Sequence, residues 1–170
     1  MIYTPEILTG IDVNINRLQK RLDSDLSWGA NVHIFGRIYE NRKKGNNIFE
    51  AYAGTGEYVE IFIDDKKTST IAFLVDKKRE LPSNEVIVTV IVSVYLPDAY
   101  TGTFQHDEHA LIDIVRLLRN SGLIKVDTIS TDFYEIFSSF DINRIEYRNM
   151  YPFTNFSVRG TMRFIEKCLT

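Results

Sequence analysis

The chain has 170 residues, 44% hydrophobic and 25% charged, an ordinary balance for a folded protein long enough to bury a core without staples. A net charge of −3 excludes any global attraction to nucleic acid or to an anionic membrane, so such contacts would have to be local. A single cysteine, Cys168, excludes an intrachain disulfide, and Val86 to Leu96, the longest apolar stretch, is too short to cross a bilayer. Met1 to Glu6 carry no basic and apolar signal regions, which predicts a protein made in a cytoplasm.

Ile7, Leu8, Ile11, Ile15, Leu18 and Leu22 recur at helical steps and predict an N-terminal amphipathic helix over Pro5 to Leu22, with Thr4 as N-cap and Pro5 in the first turn. After Ser24 to Gly29 the period changes to alternation. Val32, Ile34 and Ile38 mark a first strand, Glu40 to Asn46 a polar hairpin tip, and Ile48 to Ala53 a second strand. Gly54 to Glu57 reads as a turn before a third strand, Tyr58 to Ile63, and Asp64 to Lys67 as a turn before a fourth, Thr70 to Val75.

A loop over Asp76 to Asn84, containing Leu81-Pro82, precedes Val86 to Leu96. There valine occupies every second position and the other phase is largely apolar, so the strand either lies at the sheet centre or extends into a neighbour, ending at Pro97. A second long helix is predicted over Gln105 to Ser121, its stripe formed by Leu111, Ile114, Val115 and Leu118, with Gly122 as C-cap. Ile124 to Ile129 reads as a short strand, and Asp132 with Glu135 as a capping pair opening a short helix through Phe137. Ile142 to Arg148 reads as extended. In the last strand Phe156, Val158, Met162 and Phe164 oppose Asn155, Ser157, Arg159, Thr161 and Arg163, which predicts one wet face. The order describes one α+β domain over residues 1–170, a mostly antiparallel sheet with helices packed on it and a protruding hairpin around residues 39–48.

Chemistry-bearing patterns are few. His106-Asp107-Glu108-His109 places two imidazoles at i and i+3, whereas zinc-hydrolase helices use i and i+4 with a third ligand, so the tetrad reads as a solvated helix start rather than a metal site. Gly54-Thr55-Gly56 lacks the third glycine and the following helix of a dinucleotide loop. Cys168 has no positioned base and no nucleophile-elbow motif occurs, so no catalytic residue, cofactor or metal is predicted. Basic clusters stand in three turns, Arg42-Lys43-Lys44, Lys66-Lys67 and Lys77-Lys78-Arg79. They read either as solvated tips that discourage edge aggregation or, where two share an end of the sheet, as a rim for an acidic partner or for DNA phosphates. Arg159 and Arg163 on the wet face of the last strand extend the candidate interface set.

The order of elements resembles that of the tail-terminator and related neck proteins of tailed bacteriophages. The likeness lies in the amphipathic helix Pro5 to Leu22, the meander with a polar hairpin, the long strand Glu85 to Leu96 before the helix Gln105 to Ser121, and the closing strand Asn155 to Phe164 after Asn149-Met150-Tyr151-Pro152-Phe153. The resemblance implies a virion subunit that joins copies of itself in a ring around the DNA channel and docks on neighbouring neck or tail proteins. The hairpin between Tyr39 and Ile48 would then be an interface arm, in non-specific contact with DNA or not. The alternative is a small bacterial protein-binding or adaptor domain with a peptide or protein ligand. An enzyme with an unrecognised carboxylate site stands third.

Overall fold

A computed structural model describes residues 1–43, 45–63, 66–76, 84–101 and 106–164. The chain runs β1 (Ile2–Tyr3), α1 (Ile11–Asp25), β2 (Val32–Lys43), β3 (Asn46–Tyr52), β4 (Tyr58–Glu60), β5 (Ser69–Val75), β6 (Glu85–Tyr95), α2 (Leu96–Ala99), α3 (Asp107–Ser121), β7 (Ile124–Ser130), α4 (Phe133–Ile136) and β8 (Phe153–Arg163), with 3-10 turns at Ile142–Arg144 and Glu146–Asn149. Among the described residues the fold is α+β, and the strands form one sheet in the order β4-β3-β2-β5-β6-β8-β7, with β1 beside β2. Pairing is antiparallel except for β1 with β2 and β2 with β5.

The valine phase of β6 explains its place at the centre. Val86, Val88, Val90, Val92 and Val94 lie under α1 and α3, together with Ile34, Ile71, Phe73, Val158 and Met162 from the flanking strands. Ile15, Leu18 and Leu22 of α1 and Ala110, Ile114 and Leu118 of α3 close this core. The opposite face of the sheet is covered by the segment after β7, where Phe133, Ile136, Phe137, Phe140 and Ile145 pack on Phe35, Ile38, Phe49, Ala72 and Ile91. The strand is thus covered on both sides along Ile91 to Tyr95, while Ile87 and Thr89 are only half-buried. Burying a leucine- or phenylalanine-sized side chain stabilises by roughly 1.5–3 kcal/mol, so these two clusters dominate the favourable side of folding.

The N-terminal helix begins at Ile11, not Pro5. Gly10 (φ 55) interrupts the helical run and takes the N-cap position, while Ile2–Tyr3 is drawn into the sheet, where the Met1 carbonyl accepts from the Ile34 amide. Thr4 does not cap. Its hydroxyl donates to Gln19 Oε1 and accepts from Asn16 Nδ2. Ile7, expected on the buried stripe, is 84% exposed. Gln19 is buried and its Nε2 donates to the carbonyls of Tyr3 and Ile34, 3.0 Å each, which ties β1, α1 and β2 together and satisfies backbone groups at the strand junction.

The hairpin is longer than the polar stretch suggested. Pairing continues from Ile38↔Ala51 to Lys43↔Asn46, past the point where β5 leaves β2 at Ile38↔Leu74. Its outer strand is braced by the Asp141 amide bonding the Asn47 carbonyl and by Phe140 against Phe49. β6 ends at Tyr95, just ahead of Pro97, which sits in the first turn of α2. Asp132 Oδ1 caps α4 by accepting from the amides of Tyr134 and Glu135, while the Glu135 carboxylate takes the Ser130 hydroxyl instead of closing a capping box. Ile142 to Arg148, expected extended, forms the two 3-10 turns, because Ile142 and Ile145 both pack toward the second core cluster. The last strand has its buried phase as expected, but its other phase is fully exposed only at Arg159 and Arg163 and half-buried at Asn155 and Thr161. Ser157 is buried, since the segment after β7 covers that half. The Asp64-Asp65 turn, Leu81-Pro82, Gln105 and Cys168 lie outside the described residues.

Candidate interaction surfaces

A cleft of about 130 Å³ opens where the start of α1 meets β2 and β4, lined by Pro5, Leu8, Asp12, Arg37, Tyr39 and Tyr58 among others. Its walls follow from register. The β2–β5 ladder shifts between Ile34 and Arg37, and Tyr52 pairs directly with Tyr58 across β3 and β4. Tyr39 and Tyr52 each meet Tyr58 edge-to-face, with ring centroids 5.9 and 5.8 Å apart. The Arg37 guanidinium lies 5.1 Å from the Tyr39 ring centroid, a cation–π contact. Burial pushes the Tyr39 phenol above its ordinary range, opposed by the Arg37 charge and assisted by Asp12. Tyr39, Tyr58 and Val59 are all exposed on this edge.

The loop before β8 presents Met150 and Tyr151, 65% and 77% exposed, and Tyr134 of α4, in the segment that covers the second face, is exposed as well. The exposed acids Asp132, Glu135 and Glu146 belong to the same segment. Just inside it, Arg148 is buried: Nη1 donates to Ser93 Oγ at 3.0 Å and the guanidinium stands 4.8 Å from the Phe153 ring centroid. This arginine braces the loop from beneath.

The two described basic turns stand at different ends of β2. Arg42 and Lys43 are exposed at the hairpin tip, whereas Lys66 and Lys67 lead into Ser69, which pairs with Val32 at the opposite end of β2. Lys44, Lys77, Lys78 and Arg79 lie outside the described residues. Lys43 forms an ion pair with Glu50, which also accepts from Asn41 Nδ2 at 2.8 Å; the Lys43 and Asn41 hydrogen bonds hold the Glu50 carboxyl below its ordinary pKa. Arg159 pairs with Asp76 at 3.7 Å and Arg163 with Glu85 at 2.6 Å, so the arginines of the last strand brace neighbouring segments.

The His-Asp-Glu-His tetrad opens α3, with His106 at the N-cap. The His106 ring stacks on Tyr100 at 5.0 Å, and His109 lies 5.7 Å from His106. The Tyr100 hydroxyl accepts from Trp28 Nε1 at 2.9 Å and donates to Asp113 Oδ2 at 2.7 Å, linking the α1–β2 connection to α3. Burial first, and the hydrogen bond to Asp113 second, push the Tyr100 phenol far above its ordinary range. Among the described residues no three His, Cys, Asp or Glu side chains converge as a metal-holding group. The arrangement is a structural tether that sequence reasoning missed, since its members are 72 residues apart in the Trp28–Tyr100 bond. On the second face, a depression of about 210 Å³ is lined by Tyr3, His33, Phe35 and Glu60, and Arg144 pairs with Glu60 at 2.6 Å.

Among the described residues no helix is long and apolar enough to cross a membrane. The fold defines an α+β protein built on a mostly antiparallel sheet. Comparison of the chain with family profiles, with curated proteins and with solved structures returns no match in any of the three.

Proposed function

We propose that the chain is a non-enzymatic structural subunit of a phage neck or tail that assembles into a homo-oligomeric ring joining head and tail. The observation that carries this reading is a pair of unlike exposed patches: the tyrosine cleft, with the Arg42–Lys43 hairpin tip farther along β2, and Met150 and Tyr151 in the loop before β8. Unlike patches join copies head to tail, and such contacts close into rings when the rotation allows. The element order that resembles tail-terminator and neck proteins is compatible with it, and the braced hairpin has the shape of an arm reaching a neighbour.

Light scattering coupled to size exclusion, followed by negative-stain imaging, tests the proposal. Closed rings of the full chain are the expected result; a monomer that persists at high concentration, with or without purified head or tail particles as template, refutes it. The tyrosine cleft also favours a second reading, an adaptor domain that binds a peptide. That reading gains if the monomer captures an extended peptide in the cleft with loss on Tyr58→Ala.

A further inference from the structure

We draw no further inference here: the strongest candidate, the depression of about 210 Å³ on the second face of the sheet lined by Tyr3, His33, Phe35, Glu60 and Thr70, has its carboxylate already paired with Arg144, and nothing in the structure shows what occupies it.

Discussion

Gly160 offers a sharp test of the sheet order. It lies in β8 between Val88 of β6 and Val126 of β7, next to the register shift in the β7–β8 ladder. A Cβ at this position would stand 2.3 Å from the Lys125 carbonyl oxygen and 2.8 Å from Ile124 Cγ1. Carbon and oxygen settle at about 3.3 Å or more, so Gly160→Ala requires β7 and β8 to separate by about 1 Å, and the obstructing atom is backbone that cannot rotate away. Overpacking a tight site costs about 1–3 kcal/mol, occasionally more, and this contact belongs at the upper end. At roughly 2–4 °C per kcal/mol for a chain of this size, the melting temperature is expected to fall by about 6–12 °C. Gly36→Ala is the internal control. Its Cβ would meet the Tyr3 carbonyl at 3.6 Å, an ordinary contact, at a φ open to alanine. That substitution is expected to be neutral or to stabilise by about 0.4–1 kcal/mol through the unfolded chain. Thermal and urea unfolding followed by circular dichroism measure both. A Gly160→Ala protein melting within about 2 °C of wild type, less than 1 kcal/mol on that scale, would refute the reasoning. So would a Gly36→Ala loss of equal size.

Two further substitutions probe the polar interior and the arm. Gln19→Leu strips one buried and one part-buried carbonyl of their donor and is expected to destabilise by about 1–3 kcal/mol for the buried group left unsatisfied, with urea unfolding as the measurement; an unchanged midpoint would remove Gln19 from its bridging role. Glu50 has its pKa held below the ordinary carboxylate value, so its contribution to stability is present above that ordinary value and is lost as pH falls through the depressed one. Glu50→Gln is expected to flatten the acid limb of the pH–stability curve, and an acid limb unchanged from wild type would contradict this.

How much of the fold was legible depends on whether a segment's partner is local. The stripe of α3 and its stop at Gly122 (φ 68) need only helix geometry, and both were readable, as was the valine phase of β6. The start of α1 was not, because Ile7 and Leu8 keep helical spacing while the sheet takes Ile2–Tyr3 and Gly10 turns the chain. Period-based reading registers spacing and not the competing strand partner. The same blindness hid the second cover: Ile142 and Ile145 were read as extended, although their three-residue step suits the turns that bury them. The cleft was out of reach, since Arg37, Tyr39, Tyr52 and Tyr58 converge only through the register of separate strands. The arginines of the last strand were seen as candidate interface residues, but their acceptors, Asp76 and Glu85, lie far away in the chain.

The position of β8 has a consequence for biosynthesis. It fills the slot between β6 and β7 and pairs with β6 at every position from Glu85↔Arg163 to Tyr95↔Phe153. On the ribosome, β6 emerges with its valine-rich side ready and one edge vacant until the whole of α3, β7 and the second cover have been made. At roughly 5–20 residues per second that vacancy lasts several seconds, during which a nascent chain on the same message offers an identical open edge. Slowing translation after β6 with rare codons is therefore expected to trade folded protein for aggregate, and early supply of a β8 peptide in trans to reverse the trade.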